Sequence, residues 1–168
     1  MNNKVRKICL TGILISIGVA SSAFYIPVGV AKCFPMQHMI NVLAGVLLGP
    51  WYALAAAFCT SLIRVMLGTG SLLAFPGSMF GALLSGMLYA KSKKLFFAFT
   101  GELIGTGLIG ALAAYPVATL LLGREAALFG FIIPFAISSS IGAALSIVII
   151  RIMKDTKVID IMTKHLKV

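Results

Sequence analysis

Six apolar runs, separated by glycine, proline or clustered lysine, leave this chain little choice of fold. Read as helices they cover roughly residues 8–26, 36–49, 51–67, 72–90, 95–122 and 128–152. Of the 168 residues, 60% are hydrophobic and only 11% charged, with a mean hydropathy of +1.08. A soluble domain is about half apolar and roughly a quarter charged. A chain this small cannot hide the apolar excess from water, so its solvent must be lipid. The expected fold is an all-α integral membrane protein, a six-transmembrane-helix bundle forming one membrane domain over residues 1–168.

The second run is short. Fourteen residues rise about 21 Å, less than the roughly 30 Å hydrocarbon core, so this helix should lean on protein neighbours. Gly49-Pro50 punctuates a tight turn into the third helix. The fifth run is overlong, and Pro116 is expected to kink or break it near one end. Residues 4–23 also have the basic start and apolar core of a secretory signal, with Ala20-Ser21-Ser22-Ala23 as a cleavage site. Cleavage there would leave five spans and spoil the charge balance described next, which favours an uncleaved first helix.

The net charge is +10, yet the basic residues cluster at the ends of apolar runs rather than among aromatics on one face. That pattern argues against nucleic acid and for membrane loops. If both termini share a side, that side holds 11 of the 14 basic residues, and Lys32, Arg64 and Arg124 fall opposite. The positive-inside rule then makes both termini cytoplasmic. Cys9, Cys33 and Cys59 lie far apart in apolar surroundings, without metal-ligand spacing, and read as buried free thiols. No cofactor motif and no P-loop is present.

Against this background the stretch FPMQHMINVLAGVLLGPWYA, from Phe34, stands out. Gln37, His38 and Asn41 fall at about 0°, 100° and 40° around a helix, one sector in the outer half of the membrane. Facing lipid, each would be costly, so the sector must face protein or a cavity. Two readings are open: hydrogen bonds between helices, or, beside Phe34 and Pro35, the wall of a ligand pocket. Imidazole and the two amides donate and accept, which suits a neutral polar heteroaromatic molecule better than an ion.

Other segments bring similar material. LLAFPGSMFGALLSG enters from the same side with Phe75, Pro76, Gly77 and Ser78. Gly77, Gly81 and Ser85 repeat every four residues and suit close helix packing, while Phe75 offers a stacking face. GELIGTGLIGALAAYP carries Glu102, an acid well inside the membrane and so a functional candidate. A structural partner for it (a serine, a histidine or a backbone amide) is the competing reading. The sixth run opens with Phe131, Pro134 and three serines, 138 to 140, which read as packing. Gly12, Ser16 and Ala20 of the first run form a small-residue stripe, an association surface.

These three long segments resemble the ThiW family, the thiazole-type substrate-binding S components of energy-coupling factor transporters. The resemblance extends over roughly residues 5–155. It implies the six-helix S-component fold and a prokaryotic, multi-pass plasma-membrane protein. It implies uptake of the thiamine precursor hydroxyethylthiazole, through a transmembrane coupling subunit and two cytoplasmic ATPase subunits. Docking of the coupling subunit would fall on Gly12 and Ser16. The substrate site would lie near the external face, at Phe34, Gln37, His38, Asn41, Phe75, Ser78, Glu102 and Tyr115. ATP hydrolysis is then expected only in the partner subunits, and the chain itself is not an enzyme.

Rival classes stay in view. A membrane enzyme needs several reactive groups, but the chain has four acids and only Glu102 inside the bilayer. A secondary carrier for another vitamin-like heterocycle could use Glu102 alone, although no paired broken helices appear in matching halves. An assembly subunit would use the glycine stripes and leave Gln37, His38 and Asn41 unexplained.

Overall fold

A computed structural model of the chain describes residues 2–28, 31–123, 125 and 127–158. Six helices account for most of it: α1 (Asn3–Ala20), α2 (Pro35–Leu47), α3 (Pro50–Met66), α4 (Ala74–Ser92), α5 (Leu95–Leu121) and α6 (Ile132–Asp155). Three of them, α1 with its following turn, α5 and α6, are long and apolar enough to cross a membrane. Between α1 and α2 lies an antiparallel hairpin that no apolar run announces, β1 (Ile26–Val28) paired with β2 (Ala31–Cys33).

Local chemistry sets the boundaries. The Asn2 side chain accepts the Lys4 amide at 3.1 Å and caps α1. Pro35 and Pro50 occupy first-turn positions of α2 and α3, where a missing N–H costs nothing. Gly49, at φ 97°, makes the reversal between those helices in a conformation closed to other residues. Pro116 does not end α5. The rod runs on to Leu121, winding as π-helix over Leu103–Gly110 and again over Val117–Leu121. Between the two π-segments, Ala111–Pro116 winds as α-helix with Pro116 as its last residue.

The packing is inverted relative to a water-soluble protein. Gln37, Asn41, Thr60, Arg64 and Glu102 are buried, while Trp51, Met66 and Leu120 are mostly exposed. Such an exterior suits lipid. Helices α2 and α4 occupy the middle of the bundle, and every residue of α2 from Gln37 to Val46 is buried. The 13-residue α2 is thus enclosed by its neighbours, as its length requires. Helices α4 and α5 meet backbone to backbone. A Cβ added at Gly105 would sit 2.6 Å from the Gly81 Cα, so only glycine allows the approach.

The two ends of the bundle differ in character. At one, Met153 of α6 borders a common apolar recess with Leu10, Leu14, Leu47 and Leu48, and the Lys7 ammonium lies 5.7 Å from the Tyr52 ring centroid. The chain enters and the described chain leaves here. Nine basic residues, within positions 4–7, 91–94 and 151–157, gather at this end. Lys32 and Arg64 lie towards the other, and Arg124, Lys164 and Lys167 fall outside the described residues. At the other end, Ser22 after α1 reaches Thr69 after α3, and the Phe34 amide donates to Ser138 of α6 at 2.9 Å.

Candidate functional site

The second end is hollow. Strand β2, the first turn of α2, the end of α3 and its following loop, and the starts of α4 and α6 surround a cavity of about 530 Å³. Of the site residues expected from the sequence, Phe34, Gln37, His38 and Ser78 line it, and Gly77, Phe131, Pro134 and Ser138, which read as packing residues, line it as well. Asn41, Glu102, Phe75 and Tyr115 do not. Phe75 packs instead on Phe58, with centroids 5.5 Å apart. Tyr115 lies further along α5, half-buried. Gly12 and Ser16 are exposed on α1, outside the cavity wall.

Asn41 and Glu102 stand one layer behind the wall. His38 Nδ1 lies 2.8 Å from Glu102 Oε1, and the same oxygen accepts from Asn41 Nδ2 at 3.1 Å and Thr106 Oγ1 at 3.0 Å. Asn41 Nδ2 also reaches the Ser78 carbonyl at 3.1 Å. Glu102 Oε2 is buried with no partner among the described residues. Space for this cluster comes from α4, because a Cβ at Gly81 would strike both Glu102 and the Thr106 hydroxyl. The polar sector of α2 therefore does two jobs: Gln37 and His38 face the cavity, and Asn41 ties α2 to α4 and α5.

In the tautomer whose Nδ1–H donates to the carboxyl oxygen, Nε2 is the ring's acceptor. Nε2 has no partner among the described residues, and the ring borders the cavity. A ligand hydroxyl would find its acceptor there.

Arg64 forms the other polar wall, and sequence reasoning counted it only as a loop charge. It is 2% exposed. Nη1 donates to Gln37 Oε1 at 3.3 Å, Nη2 to the Thr69 carbonyl at 3.4 Å, and the guanidinium carbon lies 4.0 Å from the Phe34 ring centroid. The loop after α3 folds back onto the same residue, with the Thr69 and Gly70 amides donating to the Arg64 carbonyl at 2.9 and 3.0 Å. One signal was available: Thr60, Ser61 and Arg64 fall at helical spacing, and all three are buried. Cys33 completes the wall from β2, its thiol donating to the Pro134 carbonyl at 3.2 Å. Burial pushes that thiol's pKa above its ordinary value.

An apolar helical bundle that turns its polar side chains inward around a cavity at one end defines a membrane protein built to handle a small solute. The chain belongs to the thiamine-precursor transporter protein (ThiW) family, whose family model matches residues 8–156. No curated protein and no solved structure matches it.

Proposed function

We propose that the chain is the substrate-binding S component of an energy-coupling factor importer and captures hydroxyethylthiazole at the external face of a prokaryotic plasma membrane. All six helices then lie in the membrane, with both termini cytoplasmic. The observation that carries this reading is the cavity, about 530 Å³ and walled by Phe34, Gln37, His38 and Arg64, at the end opposite the nine clustered basic residues. That volume falls within the range usual for small-molecule sites, roughly 300–1,000 Å³. Phe34 supplies a ring face for an aromatic heterocycle. Gln37 carries an amide N–H for a ring nitrogen, and His38 Nε2 takes a hydroxyl.

A coupling subunit would approach along α1. Gly12 and Ser16 are exposed, nothing lies within 4 Å of a Cβ added at Gly12, and the Ser16 hydroxyl is satisfied by the Gly12 carbonyl at 2.9 Å. This face admits another backbone without leaving a donor stranded. ATP hydrolysis belongs to two partner ATPase subunits.

Isothermal titration of the detergent-purified chain with hydroxyethylthiazole, thiamine and the pyrimidine precursor tests the assignment. Binding of the thiazole alone supports it, and binding of the pyrimidine alone overturns it. The buried His38–Glu102 pair also favours a second reading, a proton-coupled carrier for a related heterocycle. Uptake that proceeds without ATPase partners would select the carrier.

A further inference from the structure

Arg64 is a buried cation without an anion. Its two side-chain hydrogen bonds go to neutral oxygens at 3.3 and 3.4 Å, long for charged donors, which usually sit at about 2.7–2.9 Å from a carboxylate. Its Nε–H is fully buried and has no acceptor among the described residues. No described acid supplies the missing charge. Glu102 is engaged by His38, Asn41 and Thr106. Glu125 borders the cavity but is exposed and forms no ion pair with Arg64. Asp155 ends α6 at the opposite end of the bundle. A desolvated guanidinium is strongly unfavourable unless paired.

The group is nonetheless held ready. The guanidinium lies over the Phe34 ring, Gln37 and Thr69 accept from its two ends, and the amides of the loop after α3 donate to its backbone carbonyl. Arg64 lines the cavity, so the cavity is where an anion can reach it. Lys32 borders the same space and adds a second positive charge, its ammonium 4.5 Å from the Tyr25 ring centroid.

We propose that the cavity recognises an anionic, oxygen-rich substituent on its ligand, a phosphate ester or a carboxylate, docked on Arg64. This inference rests on the thiazole-capture reading and extends it: the phosphate ester of the thiazole alcohol should bind more tightly than the alcohol itself. Planar, forked donors match phosphate and carboxylate oxygens bidentately, and an anion would give Arg64 its missing charge partner.

Isothermal titration of the detergent-purified full chain with hydroxyethylthiazole, its phosphate ester, a carboxylate analogue and inorganic phosphate tests this directly. The phosphate ester should bind about tenfold or more tighter than the alcohol, and the advantage should shrink as salt is raised. A carboxylate analogue that shares the advantage supports recognition of charge. Arg64→Gln should abolish the preference and Arg64→Lys should retain part of it. The wild-type series stands by itself if either variant fails to fold. Alcohol binding that matches or exceeds the ester overturns the anion site and leaves thiazole capture intact. Binding of inorganic phosphate with no thiazole bound upholds the anion site and overturns thiazole capture. Binding of none of the four overturns both.

Discussion

Glu102 separates two side chains that look equivalent in the sequence. It turns the His38 ring so that Nε2 is left for the cavity, and it holds Asn41 one layer behind. Replacing His38 with Ala should therefore remove a ligand contact, weakening hydroxyethylthiazole binding about 5- to 150-fold, or about 1–3 kcal/mol. Asn41→Ala should act differently. It removes donors to Ser78 and Glu102 between α2, α4 and α5, so the melting temperature should fall while the folded protein binds within about threefold of wild type. Titration of monodisperse protein beside a melting curve checks both, and an Asn41 variant as weak as the His38 one would put Asn41 in the cavity. Cys33 offers an independent probe of the same space. Because burial pushes its thiol up, less thiolate is present at neutral pH than in a free cysteine. In a chain with Cys33 as sole cysteine, maleimide labelling should be slow and should keep accelerating with pH beyond the ordinary thiol range. Saturating ligand should protect it, and labelling rates indifferent to ligand would place the binding site elsewhere.

At the scale of elements, the seam between α4 and α5 and the free face of α1 make opposite demands on glycine. A Cβ at Gly105 would meet the Gly81 Cα and the Phe80 carbonyl, both at 2.6 Å, and backbone cannot swing aside as a side chain can. Gly105→Ala should cost about 1–3 kcal/mol or more in stability, read from thermal or denaturant unfolding. Gly12 has open space around it. Gly12→Leu combined with Ser16→Leu should leave folding and ligand binding near wild type yet abolish uptake in cells carrying the coupling module. Retained uptake would remove α1 as the docking surface. The six helices were legible because apolar runs and Gly49-Pro50 punctuate the chain, and the burial of Gln37, His38 and Asn41 followed from their shared sector. The pairing of β1 with β2 was not, because three-residue strands are too short to show a period and β1 contains Pro27. Of the kink or break expected at Pro116, the break does not occur, and α5 continues past it as π-helix to Leu121. The pairing of His38 with Glu102 spans 64 residues, and no local pattern foretells it. Arg64 escaped as a site residue because an arginine near the end of an apolar helix reads first as a loop charge.

For the molecule as a whole, the distribution of charge sets an expected orientation. Of the basic residues described, nine gather where the chain enters, and only Lys32 and Arg64 lie towards the cavity end. Arg64 is buried against Phe34 and Lys32 sits over Tyr25. By the positive-inside rule the richer end is expected on the cytoplasmic side, and the proposed capture from outside requires the cavity to open on the other. The expectation can be checked with two single cysteines in a chain whose Cys9, Cys33 and Cys59 are replaced by serine. Lys93, at the left-handed end of α4 (φ 56°), lies at the basic end, and Lys93→Cys should react with a membrane-impermeant maleimide only after the cells are opened. Glu125 is exposed at the edge of the cavity, and Glu125→Cys should react in intact cells, with hydroxyethylthiazole slowing the reaction if the filled cavity narrows access. The two sites lie at opposite ends of one bundle, so a correctly inserted chain cannot show both from one side. Labelling in the reverse order would turn the cavity towards the cytoplasm, and capture from outside would then be excluded whatever the ligand affinity.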